Sequence, residues 1–224
     1  SKEIAPVTVA KKAYNVKLLN RAAHWGTELA LWSMIGKRVN DFRRRLGLPA
    51  QSGAVTDLPQ LALFSTHVQP RPADWPPHVH VVGYQALAPP PGYTPPPALA
   101  HFLQAGAAPL YVGFGSMPVQ DADALAIAVS EVAKALGKRA ILHTRARVQY
   151  LADDKKVHMF NLTEPVPHEW LFKQCDVVVH HGSAVTTAAA LRARRIMVVF
   201  PVLADQPFWA ERAAALGVAP DRPV

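Results

Sequence analysis

The chain has 224 residues, a formal net charge of +8, half its residues hydrophobic and 18% charged. That balance excludes a disordered chain and allows one large or two small domains. One cysteine, Cys175, excludes an internal disulfide and reads as a small buried hydrophobe in a reducing compartment.

The charge is uneven. Residues 1–60 hold 10 Lys and Arg against 4 Asp and Glu, and the remainder 14 against 12. No nucleic-acid motif accompanies the basic segment, so nucleic acid is not an expected partner. No run approaches the ~18 apolar residues of a membrane span, and no signal-peptide pattern opens the chain. The expected location is cytoplasmic. The first residues, SKEIAPVTV, lack a starting Met and read like the middle of a longer protein.

Residues 14–46 are predicted to form one long helix, with Gly26 and Gly36 as the points where it would break. Leu18, Ala22, Trp25, Leu29, Trp32, Ile35, Val39, Phe42 and Leu46 recur at helical spacing. Lys17, Arg21, Lys37, Arg38, Arg43 and Arg44 carry the other side. Such a helix packs on a domain, or lies at a membrane interface as a peripheral contact, or walls a lipid pocket. Residues 59–83 follow as a short α/β ending, with an apolar run at Leu61–Phe64 and a strand at Val79–Val82. Six prolines between 89 and 97 make a stiff connector. The expected organisation is therefore 1–86, a linker at 87–97, and a second domain at 98–224.

From residue 98 strands and helices alternate: helix 98–104, strand 109–114, helix 121–136, strands 139–144 and 157–162, helix 167–174, strand 176–180, helix 184–193, strand 196–201 and helix 205–216. This implies a parallel sheet covered on both faces, with ligands at the strand C-terminal ends.

Two strand-to-turn passages carry chemistry. Gly113-Phe-Gly-Ser-Met117 begins like a dinucleotide fingerprint but meets Pro118 at the sixth position. The second strand ends in His143 and Thr144, with no acid for a ribose, so an NAD enzyme is not expected. The glycines still fit a backbone that approaches phosphate, and they fit an ordinary turn too. The passage Val177–Thr187 runs strand, His180, His181, Gly182, then a helix start with Thr186 and Thr187. Backbone N–H groups, a helix dipole and hydroxyls meet there in a ready anion site. The two histidines have no further ligand at zinc spacing, so no metal is expected. Asp205 and Gln206 offer acceptors and donors that suit vicinal sugar hydroxyls, and Asp205 is equally placed to cap a helix.

GFGSM, VPHEWLF, VVVHHG-x-A-x-TTAAALRA, FP-x-x-ADQPFW and ALGV together resemble UDP-sugar-dependent glycosyltransferases of the GT-B fold, nearest the sterol-glucosyltransferase-like branch. The resemblance is dense over residues 97–220, and residues 1–86 resemble the end of that family's N-terminal domain. It implies an α/β fold with a Rossmann-like donor domain after the C-terminal part of an acceptor domain. Gly115 and Ser116 would sit by the donor diphosphate, and His181, Gly182, Thr186 and Thr187 would hold the phosphates. Asp205 and Gln206 would hold sugar hydroxyls, while Pro165, Val166 and His168 would frame the uridine. Trp170 matches a family position and reads as core. The implied reaction transfers a hexose, nearest glucose, from a UDP-sugar to a lipid or sterol-like hydroxyl, with inversion and without metal or other cofactor.

Three departures stand out. The family writes HHGGAGTT where this chain writes HHGSAVTT, so Ser183 and Val185 are expected to crowd the backbone's approach to phosphate. Arg194, Arg195 and Ile196 replace Gly-Val-Pro and remove a glycine helix stop. No histidine here maps to the family's catalytic base in an early N-terminal loop, so that role is unassigned and the chain reads as a fragment. The alternative is a degraded, non-catalytic transferase that binds nucleotide or associates with a membrane.

Overall fold

The computed structural model describes residues 17–53, 58–117, 119–144, 148 and 158–221. Contacts divide the chain into two compact units, Ser1–Gly83 and Tyr84–Val224.

In the first unit, helix α1 spans Lys17–Arg45. It is the one long helix that the spacing predicts, and it passes through Gly26 and Gly36 without a break. A Cβ on Gly36 would lie 2.9 Å from the Trp32 indole, so the glycine makes room for a ring lying along its own helix. Residues 14–16 of the expected helix lie outside the described residues. Arg43, Arg44 and Arg45 fill the last turn, where cations suit the dipole. The helix stops at Gly47, and the Asn40 amide clamps the following chain by exchanging two 2.9 Å hydrogen bonds with the Gln51 backbone. The apolar stripe is largely uncovered: Leu18, Trp25, Leu29, Ile35, Phe42 and Leu46 are all exposed. Strands β1 (Gln60–Ala62) and β2 (Val79–Val81) pair in parallel. Between them the Arg71 guanidinium gathers the carbonyls of Pro72, Trp75 and Pro76 at 3.2, 2.9 and 2.9 Å. Prolines leave carbonyls without matching N–H donors nearby, and the guanidinium supplies donors to them.

In the second unit the elements run α2 (Pro97–Gln104), β3 (Leu110–Gly113), α3 (Ala122–Ala135), β4 (Ala140–His143), β5 (Met159–Leu162), α4 (His168–Leu171), β6 (Val177–His180), α5 (Ala184–Arg192), β7 (Ile196–Val199) and α6 (Gln206–Ala215). The strand order is β5-β4-β3-β6-β7, all parallel. Within this unit that is third, second, first, fourth, fifth, so the winding reverses between β3 and β6. Ligands of such sheets bind at that switch point, beyond the strand C-termini.

The core has two layers. Tyr111, Ile141, Val178 and Met197 face α2, α4, α5 and α6, where Leu99, Phe102, Leu171, Ala190 and Ala213 complete a buried cluster. Leu110, Val112, Ala140 and Leu142 face the other way, onto Ala126 and Ala133 of α3. Alternation along each strand supplies both faces, which is why the strands read as nearly continuous apolar runs. Asp121 caps α3 by accepting the Ala124 N–H at 2.8 Å, and Gly137 ends it with φ +62°. The expected helix 167–174 is shorter: after Leu171 the chain tightens into a 3-10 turn at Phe172–Gln174, as helix ends often do. The proline stretch packs into this unit, with the Tyr93 ring edge-on to Trp170 at 5.7 Å. Cys175 is fully buried, its thiol pointing to the Leu171 carbonyl at 3.3 Å.

The second residue after α5 illustrates the cost of a non-glycine helix stop. Arg194 takes φ +56°, a left-handed conformation. There an L side chain crowds its own backbone by ~1–2 kcal/mol. Arg194→Gly is expected to stabilise the fold by about 0.5–1 kcal/mol, the gain being trimmed by the greater freedom of glycine in the unfolded chain. A thermal melt reads the change; an unaltered or lower midpoint would show that the arginine makes up the strain through its own contacts.

Candidate functional site

The register aligns the strand ends in one row: Leu162, His143, Gly113, His180 and Val199 stand opposite one another. Everything expected to meet a donor lies just beyond that row.

The turn after β3 and the turn after β6 touch. Gly115 has φ +60°, and a Cβ there would lie 3.0 Å from the His181 ring. Gly182 has φ +89°, and its Cβ would meet Val199 at 2.8 Å and the Gln206 carbonyl at 3.1 Å. The Gln206 amide nitrogen in turn lies 4.0 Å from the Met117 sulfur. Gly115, His181, Gly182 and Gln206 therefore form one cluster at the switch point, with Ser116 exposed beside it.

The two histidines differ. His180 is fully buried, and its Nδ1 accepts the Gly182 N–H at 3.0 Å, so it holds the turn. Burial drives its pKa down to about 3, with His181 and His168 adding to the effect. His181 is 8% exposed and its Nδ1 has no protein partner. Burial lowers its pKa, and the Asp205 carboxylate opposes that shift.

The start of α5 is organised by Ser183. Its hydroxyl accepts the Thr186 N–H at 3.3 Å and donates to the Thr186 hydroxyl at 2.9 Å. The Thr187 hydroxyl donates to the Ser183 carbonyl at 2.9 Å. Thr187 is thus committed to the turn, whereas Thr186 keeps its own proton to give. Ser183 and Val185, expected to crowd the approach to a phosphate, put no strain on the backbone. Neither has a positive φ, Ser183 is an N-cap of the preferred type, and Val185 is helical and 73% exposed. The position that demands glycine, Gly182, has kept it.

Asp205 stands at the N-cap position of α6 but makes no capping bond; its carboxylate accepts the Trp209 indole N–H at 2.7 Å. Its backbone is itself helical, which turns the side chain away from the free N–H groups. Gln206 is 5% exposed, and its Oε1 accepts the N–H groups of Val202 and Leu203 at 2.7 and 3.0 Å. Its carbonyl is thus spent on the turn and one amide N–H is directed at the Met117 sulfur, leaving the other N–H for a ligand.

Pro165, Val166 and His168 line a cavity of about 550 Å³ beside this cluster, with His143, Val185 and Arg192 among its other walls. Arg192 is held by an ion pair with Glu169, its Nε 3.1 Å from each carboxylate oxygen. Sequence reading passed over Tyr111, His143, Glu169 and Arg192 as site residues. Only the same-face spacing of Tyr111 and Gly113 offered a signal, and a core tyrosine gives the same spacing. The first unit has a separate cavity of about 580 Å³ between β1, β2 and Trp75, which contains none of the expected site residues. Among the described residues, no group of three or more His, Cys, Asp or Glu could hold a metal ion, and no helix is long and apolar enough to cross a membrane.

No family model matches the chain. A sterol 3-beta-glucosyltransferase of Arabidopsis thaliana is 36% identical over 197 residues, 85% of this chain and 31% of that protein. The O-mycaminosyltylonolide 6-deoxyallosyltransferase of Streptomyces fradiae is 36% identical over 214 residues, 92% of this chain and 49% of that protein. The chain thus spans about a third to a half of the length of these curated relatives. Among solved structures, the glycotransferase of kitacinnamycin matches with a TM-score of 0.66 at 21% identity, over 99% of this chain and 55% of that one. The glycosyltransferase SnogD of Streptomyces nogalater matches with a TM-score of 0.60 at 22% identity, over 88% of this chain and 51% of that one. At such identities the likeness is one of fold.

Proposed function

We infer the function from one premise: the chain belongs to the GT-B glycosyltransferases, on their sterol-glucosyltransferase-like branch. On our reading it carries the donor half of the reaction. A UDP-hexose, nearest glucose, lies across the switch point with its uridine in the cavity of Pro165, Val166 and His168. Its diphosphate meets Gly115, Ser116, His181, Gly182 and the start of α5, and its sugar meets Asp205 and Gln206. The observation that carries this reading is the contact of Gly115 with His181 at the reversal of the winding. It joins two turns 66 residues apart into a single strand-end site.

In the reaction we propose, a lipid or sterol-like hydroxyl attacks the anomeric carbon from the face opposite the diphosphate. The carbon–oxygen bond to phosphate breaks, UDP leaves with the electron pair, and the configuration inverts. Negative charge grows on the departing diphosphate, where fixed N–H donors, the α5 dipole and the Thr186 hydroxyl stabilise it. The proton of the acceptor hydroxyl goes to a base that we assign to no residue of this chain. We retain the division into acceptor-side and donor-side domains with the proline stretch between.

UDP and UDP-glucose are expected to bind the chain equally well with and without EDTA. Calorimetry under both conditions measures it. Binding that appears only with Mg²⁺ added, or no binding of either ligand, would sink the reading.

A further inference from the structure

Residues 84–93, the start of the proline connector, are fixed at both ends, and both ends lead back to consecutive residues of α4. At one end the Arg192 guanidinium sits 6.0 Å from the centre of the Tyr84 ring, and Glu169 holds it there. At the other, the Tyr93 ring meets Trp170 edge-on at 5.7 Å. Just before it the chain turns tightly: the Tyr93 N–H donates to the Pro90 carbonyl at 3.0 Å, and Gly92 takes φ +74°. Pro89, Pro90 and Pro91 stiffen the backbone between the two ends. The connector is therefore held in one shape against α4 and α5.

That shape forms part of a cavity wall. Gln85, Leu87, Ala88 and Pro90 line the same cavity of about 550 Å³ as Pro165, Val166 and His168. Its volume falls within the roughly 300–1,000 Å³ of small-molecule sites. The connector side is uncharged: Leu87 and Ala88 are apolar, and the prolines have no N–H to give. Arg192 and Glu169, the charged pair on the wall, neutralise each other. Such a lining suits a flat, uncharged group and offers little to a phosphate. Leu87 is 88% exposed and Val185 73%, so two apolar side chains on one cavity are left for an occupant to cover. Val185 adjoins Thr186 at the start of α5, where the diphosphate lies on our reading, so a nucleoside tethered to that diphosphate reaches the cavity.

We propose that the connector is part of the donor site, a proposal that rests on the reading of this cavity as the uridine pocket. Leu87, Ala88 and Pro90 pack against the nucleoside of the UDP-sugar, and Leu87 and Val185 are covered by it. A wall set in advance by prolines and two aromatic contacts has little freedom to lose when the ligand arrives.

The test joins methyl NMR of the full chain with UDP to calorimetry. With UDP bound, the Leu87 methyl groups should show NOEs to the H5, H6 or H1′ protons of uridine, as should those of Val166 or Val185. Leu87→Ser should weaken UDP about three- to tenfold, what covering part of a leucine side chain is worth. Its melting temperature should stay unchanged, because the side chain is already exposed. Ala88→Asp should weaken UDP tenfold or more, since a carboxylate would lose water against an uncharged group. Leu136→Ser, at an exposed leucine after α3, should leave UDP affinity at the wild-type value. NOEs from Val166 or Val185 but not from Leu87, or a folded Leu87→Ser with wild-type affinity, would overturn the proposal and leave the uridine pocket standing. Bound UDP with NOEs to none of the three would overturn the proposal and the pocket reading together. Failure of the wild type to bind UDP would overturn the functional reading itself.

Discussion

Gly182→Ala is expected to destabilise the second unit by about 2–4 kcal/mol and to remove measurable UDP binding. Two effects add. The backbone has φ +89°, where an L side chain is strained, and the new Cβ would lie 2.8 Å from Val199 and 3.1 Å from the Gln206 carbonyl. The backbone carbonyl cannot swing aside as a side-chain tip would, and it belongs to the first residue of α6. Relief therefore moves either α6 or the turn that carries His181. The turn's N–H is also tied to His180 at 3.0 Å, so any shift unseats a buried histidine. Gly217→Ala is the control, because Gly217 has φ +70° but nothing within 4 Å of its would-be Cβ. It should show the backbone cost alone, about 1–2 kcal/mol, with UDP affinity intact. Urea unfolding and calorimetry on both variants decide the matter. If Gly182→Ala is no worse than Gly217→Ala, the turn relaxes freely and is not the rigid cradle described above.

Asp205→Ala is expected to weaken UDP-glucose about ten- to hundredfold while leaving UDP nearly unchanged. A hydrogen bond to a charged group contributes roughly 1.5–3 kcal/mol, and the carboxylate is proposed to meet the sugar rather than the phosphates. One carboxylate oxygen accepts the Trp209 indole at 2.7 Å, which aims the group and leaves the other oxygen for a ligand. Alanine removes both, so two further variants separate them. Asp205→Asn retains an oxygen for the indole but lacks the charge, and should still lose most of the preference for UDP-glucose. Trp209→Phe retains the charge but releases it, and should lose only part. Equal weakening of UDP and UDP-glucose by Asp205→Ala would mean that the residue serves only to seat α6.

Much of this molecule is legible in the chain itself. The alternation of apolar runs with helical stretches announces a parallel sheet, because strands buried on both faces must be apolar throughout. Gly113, Gly115 and Gly182 mark the backbone turns, and Asp121 with Gly137 brackets α3, because these local signals depend only on neighbouring residues. Tertiary structure decided the rest. Strand order and register bring Gly115 under His181, and a linear pattern of strands holds no record of which strand lies beside which. Ser183 and Val185 looked obstructive because a family pattern shows residue types without dihedral angles; the fold gives both ordinary helix-start conformations. Asp205 looked like a cap until its backbone proved helical and its carboxylate found Trp209 one turn on. The Tyr111 hydroxyl meets His143 and His168, 32 and 57 residues away, and of the three the sequence singles out only His168, as a family position that would frame the uridine. Local chemistry sets the elements, but the partners of a buried polar group are set by which elements the core brings together.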